Sequence, residues 1–159
     1  MAKITTTKKA TAAVKERDSA INHALDELRA AELCMEAVRN DGTAIVYVPY
    51  EFRTLELCLE AVRQNGGALK YVPDEHRTPE LCLEAVRSSG DAIVYVPDRL
   101  RTAELCLQAV KNCYCAFEYV PDELRTLEIC FAAVKHDGDT LRFVPFSLRA
   151  QIKAALNKR

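Results

Sequence analysis

The sequence has no tryptophan, two methionines, three histidines and only five glycines among 159 residues. So few glycines leave no phosphate-cradling loop, and neither a P-loop nor a Gly-x-Gly-x-x-Gly turn occurs. His23, His76 and His136 stand far apart, and no His-Glu-x-x-His motif is present. No Cys-x-x-Cys pair exists, so structural zinc lacks its usual ligands. No apolar run approaches the ~18 residues of a membrane-crossing helix; pieces such as Ala44-Ile45-Val46-Tyr47-Val48 are the longest. The opening residues, MAKITTTKKATAAVKERD, lack the roughly 7–15-residue apolar block of a secretory signal. A net charge of −1 excludes a globally basic nucleic-acid binder.

Apolar residues make up 49% of the chain and charged residues 28%. That is the composition of a folded domain, and the length suits one. Seven cysteines are an odd count without the look of a small secreted domain. Reduced thiols in a cytoplasm are therefore expected, either the producing cell's or that of a cell to which the protein is delivered.

An internal repeat dominates the sequence. Cys34, Cys58, Cys82, Cys106 and Cys130 recur at 24-residue intervals. Five units follow in register: 29–52, 53–76, 77–100, 101–124 and 125–148. The same register fades backwards over Thr5–Leu28 and starts again at Arg149. Terminal repeats that face water on one side are expected to be atypical. The chain thus divides into a basic N-terminal segment with a degenerate capping repeat (1–28), five tandem repeats (29–148) and a C-terminal capping helix (149–159).

Columns are numbered here from the arginine that opens each unit. Columns 3, 6, 7 and 10 (Pro79, Cys82, Leu83 and Val86 in the third unit) have helical spacing, and columns 5 and 9 widen the apolar arc. Columns 4, 8 and 11 form the polar stripe. Threonine at column 2 suits an N-cap, and Pro79 suits the first helical position. Gly42, Gly66, Gly90 and Gly138 at column 14 are expected to take the left-handed conformation that ends a helix. The second half of the unit, Ala-Ile/Leu-x-Tyr-Val-Pro, has β-branched and aromatic residues that would suit a strand. The degenerate copy, Ser19–Leu25, reads as helix, and the leucine-rich pattern is missing. A short second helix ending before the proline is expected. The fold class is all-α: an α-solenoid of about five repeats, each one longer helix plus a short helix or turn.

The motif Leu-x-x-Ala-Val-(Arg/Lys)-x-x-Gly-x-Ala-Leu-x-Tyr-Val-Pro resembles a bacterial and viral helical-repeat domain of unknown function. The resemblance covers about Arg29 to Leu148. It implies a helical interaction scaffold and supplies no catalytic or ligand-binding residues. The fourth unit departs from the pattern, with Tyr114 in place of glycine.

A column filled in every unit is architecture, because catalytic constellations are single and asymmetric. The five repeated cysteines are expected to pack as small hydrophobes between units. Arginine at column 1 and glutamate at column 4 are expected to form an ion-pair network; an arginine stripe for phosphates is the rival. Cys113 and Cys115 occur only in the fourth unit, on a turn, and are expected to be reactive thiols. His136 stands one column from Cys113 in the next unit, yet nothing else completes a Cys–His nucleophile. No enzyme, metal or cofactor is expected.

Variable columns are where a solenoid writes specificity, and columns 12, 13, 15, 18 and 22 vary. The partner-binding candidates are Val46, Lys70, Val94, Glu118 and Arg142 at column 18, with Tyr50 and Phe146 at column 22. Aromatic residues are enriched at interface hot spots. Residues 18–148 hold an excess of acid while both termini are basic, so a protein partner with a basic surface is expected, and no membrane. The expected function is a non-enzymatic protein–protein interaction scaffold, such as an effector, inhibitor or adaptor. The alternative is a nucleic-acid-associated repeat protein that uses the arginine column and basic termini.

Overall fold

A computed structural model describes residues 26–157. The degenerate repeat over Thr5–Leu28 lies almost wholly outside them. Residues 26–40 form helix α1. Helices α2 (Leu55–Gln64), α3 (Pro79–Ser88), α4 (Ala103–Asn112), α5 (Leu127–His136) and α6 (Phe146–Leu156) follow. Each gap between them holds a six-residue 3-10 helix: Gly42–Tyr47, Gly66–Tyr71, Gly90–Tyr95, Tyr114–Tyr119 and Gly138–Phe143. A three-residue 3-10 turn then leads into each of α2 to α5. No strand occurs among the described residues. The second half of each unit is therefore a short helix, as its degenerate copy indicated.

The threonine at column 2 separates turn from helix. The side chains of Thr54, Thr78, Thr102 and Thr126 accept from the N–H three residues on, at 3.2 Å for Leu81, and so satisfy an orphan donor. Ala30 and Ala150 stand at that column in the outer units. With no cap to break the chain, turn and helix merge there. Helix α1 runs unbroken past Ala30, and α6 begins at Phe146, three residues before the expected boundary at 149.

Helices α2 to α6 pack each on the next in one layer, and the six-residue 3-10 helices form a second layer against them. The core lies between the layers. Leu81, Cys82, Ala85 and Val86 of α3 are buried, and the same columns are buried in α2, α4 and α5. Column 17 (Ile45, Leu69, Ile93, Phe117) and column 20 (Val48, Val72, Val96, Val120, Val144) close the core from the 3-10 side. The expected face needs correction: Pro79 is exposed and Leu83 half-buried. At 100° per residue, columns 5, 6, 9 and 10 span an arc of about 140°, and columns 3 and 7 fall at or beyond its edge.

The glycines also differ from expectation. None has a positive φ. Close approach is what selects three of the four at column 14. A Cβ at Gly66 would lie 2.2 Å from the Ala85 carbonyl oxygen, and one at Gly90 would lie 2.5 Å from that of Ala109. Gly42, Gly66 and Gly90 thus let the following helix come down on the 3-10 segment, whereas Gly138 stands in open space. Tyr114 fills this column in the fourth unit. There the 3-10 layer is loosest, between Tyr114–Tyr119 and Gly138–Phe143.

Two glycine substitutions should therefore have opposite signs. Gly66→Ala should cost about 1–3 kcal/mol by overpacking. At Gly138 a Cβ meets nothing within 4 Å, so Gly138→Ala should gain about 0.4–1 kcal/mol through the unfolded chain. Urea melts of the two variants read this difference. In the same assay, Leu81→Ala should cost ~2–5 kcal/mol as a core truncation.

Candidate interaction face

The arginine column is neither a ladder to column 4 nor a free phosphate stripe. Arg77 donates through Nε to the Val72 carbonyl at 3.0 Å and through Nη1 to the Tyr95 carbonyl at 3.3 Å. Arg53, Arg101 and Arg125 repeat this geometry. One guanidinium thus ties the end of the preceding 3-10 helix to the end of its own unit's. Its charge meets Asp74, Asp98 or Asp122, three residues earlier, at 3.4, 2.9 and 2.7 Å. Column-4 glutamates stay exposed, and Glu128 pairs with Lys111 at 3.7 Å. The expected network is corrected accordingly. Carbonyls at helix ends lack internal donors, and the planar arginine fork supplies two.

Columns 12 and 13 vary for internal reasons. Gln64 accepts from the Gly42 N–H at 2.9 Å and donates to the Arg39 carbonyl at 3.0 Å. Ser88 accepts from Gly66 N–H, and Asn112 donates to the Val86 carbonyl. Each reaches back to the preceding unit. At column 13, Asp41, Asn65 and Asp137 cap their own 3-10 helices. In the second to fourth units the column-12 side chains are thus engaged within the protein.

Column 18 does face solvent. Val46, Lys70, Val94, Glu118 and Arg142 are all exposed. Beside them runs a row that sequence reasoning passed over, the column-19 aromatics Tyr47, Tyr71, Tyr95, Tyr119 and Phe143. Tyr47 is 87% exposed and Phe143 55%. Tyr71 and Tyr95 are half-buried. The signal was the choice of tyrosine over leucine: a ring with a polar tip suits a half-wet position. Shallow clefts run between neighbouring 3-10 helices. Val46 and Lys70 share one of about 370 Å³ with Tyr47, Tyr71 and Tyr95. Glu118 and Arg142 share one of about 410 Å³ with Tyr114 and Phe143. Lys70 and Arg142 already lie over the rings of Tyr71 and Phe143, at 5.7 and 4.7 Å.

Tyr50 and Phe146 line neither of these clefts. The Tyr50 hydroxyl donates to the Glu75 carboxylate of the next unit at 2.9 Å. That bond raises the phenol above its ordinary range, while a backbone hydrogen bond and Tyr50 together lower the Glu75 carboxyl. Phe146 opens α6, 87% exposed, with the Arg149 guanidinium 6.0 Å from its ring.

Cys58, Cys82, Cys106 and Cys130 are fully buried, as their helical face required; Cys34 is half-buried. Desolvation raises all four buried thiols, Cys58 and Cys82 to about 11. Cys113 and Cys115 are not free thiols. They are joined in a disulfide, with Cα atoms 5.4 Å apart. The expectation of two reactive thiols, and of seven reduced cysteines, is corrected by this pairing.

The sequence matches the family described as a domain of unknown function (DUF4116) over residues 31–77, 54–101 and 103–149. The chain belongs to this family. No curated protein and no solved structure matches it.

The arginine fork should show as stability. Arg101→Lys keeps the charge but not the two-carbonyl geometry and should cost on the order of 1–3 kcal/mol in urea; Glu104→Ala should cost under ~0.5. The buried thiols make stability pH-dependent. With the folded value above the unfolded one, the folded state holds its proton longer, and stability falls between about pH 9 and 11. At pH 10 the loss should be on the order of 1 kcal/mol each for Cys58 and Cys82. Melts at pH 8 and 10 should show a smaller drop in Cys82→Ala than in the wild type.

Proposed function

We propose that this repeat protein is a non-enzymatic scaffold that binds another protein across its 3-10 face. The observation that carries the reading is the row of column-19 aromatics beside the variable column 18. The row gives every unit the same apolar foothold. Column 18 then differs from unit to unit: valine, lysine, valine, glutamate, arginine. That combination supplies affinity and specificity from adjacent positions. The acidic excess of residues 18–148 favours a partner with a basic surface. Against the nucleic-acid reading stand the arginine forks, whose donors already bond to backbone carbonyls.

The test is affinity capture with mass spectrometry from the producing cell, followed by affinity measurement on each captured protein. Tyr47→Ala with Phe143→Ala should weaken a genuine partner by about 30-fold or more and leave circular dichroism unchanged. Glu80→Ala with Glu104→Ala, on the helix face, should alter mainly on-rate and salt response. The reading is wrong if affinity survives the aromatic changes and is lost with the helix-face pair. Capture of nucleic acid with a steep salt slope would also overturn it.

A further inference from the structure

We propose that Cys113 and Cys115 form a reversible thiol–disulfide site that locks the turn between α4 and the Tyr114–Tyr119 helix, and that small thiols of the glutathione class open it. The other four units place hydrogen-bonded residues at the same two columns. In the first, Asp41 accepts from both the N–H and the hydroxyl of Thr43, at 2.9 and 2.7 Å. In the second, Asn65 accepts from the Gly67 N–H at 2.9 Å. Ser89 bonds to Asp91 in the third. Asp137 accepts from the Asp139 N–H at 3.1 Å in the fifth. Columns 13 and 15 are thus tied in every unit, always by hydrogen bonds except in the fourth. There the tie is covalent, and Cys113 makes no side-chain capping bond.

The substitution changes what the turn responds to. Asp or Asn caps in either redox state. A thiol is a weak acceptor, so the reduced pair leaves this turn without its tie. Cys113 also sits at a tight point, because a Cβ at Gly90 of the preceding unit would lie 2.9 Å from its own Cβ. Cys115 is exposed and reachable by a small reagent. It lines the cleft with Tyr114, Glu118 and Arg142, so the state of the bond is registered on the surface. The buried column-6 cysteines offer no comparable access.

The chemistry balances with two equivalents of the small thiol. A thiolate attacks the Cys115 sulfur, and the bond to Cys113 breaks. Cys113 leaves as a thiolate and takes up a proton. A second thiolate then attacks the small-thiol sulfur of the mixed disulfide and releases Cys115, which is protonated in turn. Two small thiols are oxidised to one disulfide as the protein's disulfide is reduced.

The experiment equilibrates the full chain in reduced and oxidised glutathione, counts thiols by alkylation and mass, and follows amide hydrogen exchange. Oxidised chain should show the 113–115 pair blocked to alkylation after unfolding, and reduced chain should show both free. Reduction should speed exchange at amides 116–120 about fivefold, the ordinary size of a lost cap, and leave amides 68–72 unchanged. Cys113→Asp with Cys115→Thr, which copies the first unit, should exchange slowly in both buffers. The proposal is overturned if the pair never forms in oxidised glutathione. It is also overturned if exchange at 116–120 ignores the redox state, or if the Asp/Thr variant still responds. The wild-type comparison decides the matter even should the variant fail to fold.

Discussion

From the second unit to the fifth, one planar cation, Arg53, Arg77, Arg101 or Arg125, ties each unit to the one before it. The column-1 guanidinium reaches back to a column-20 valine carbonyl and forward to a column-19 carbonyl, 18 residues on. Those carbonyls end 3-10 helices and have no intrahelical donor. Without the fork the part-buried ones, such as those of Val48 and Tyr71, would be left unpaired, which costs more than a hydrogen bond gains. The fork also fixes the separation of successive 3-10 helices, and so the register in which the long helices meet. An ammonium could satisfy one carbonyl but not hold two at set angles.

The second constraint is room. Column 14 must be glycine wherever the next helix descends onto it, because an alanine carbonyl occupies the place of a Cβ. Arginine sets the pitch, and glycine permits the contact. Where the fourth unit has Tyr114, the 3-10 layer loosens and a cleft runs between Glu118 and Arg142. The same unit carries the disulfide. Among the described residues the solenoid thus has an irregular joint, marked by Tyr114 in the glycine column and by the disulfide that flanks it.

The variable columns divide by direction. Columns 12 and 13 vary because several side chains can cap a helix end equally well: Gln64, Ser88 and Asn112 all do. Column 18 varies under no such internal demand. Repetition was misleading in the opposite sense at column 19. Its aromatic is present in every unit, yet Tyr47 and Phe143 are largely in solvent. A position whose backbone carbonyl is needed by arginine leaves its side chain free to serve the surface.

The sequence alone determined the length of the unit, the amphipathic helix with its threonine cap, and the burial of Cys58, Cys82, Cys106 and Cys130. All of these are local patterns that recur every 24 residues, and local hydrogen bonding and periodicity suffice to read them. Only the tertiary structure decided why the glycines are there, which carbonyls the arginines hold, that Tyr50 is tied to Glu75, and that Cys113 and Cys115 meet. Apart from the cysteine pair, each of these links one unit to the next. The distance between units is set by packing, and packing is not written at any single position. The cysteine pair depends on the geometry of its turn, which one copy of the repeat replaces with a covalent bond.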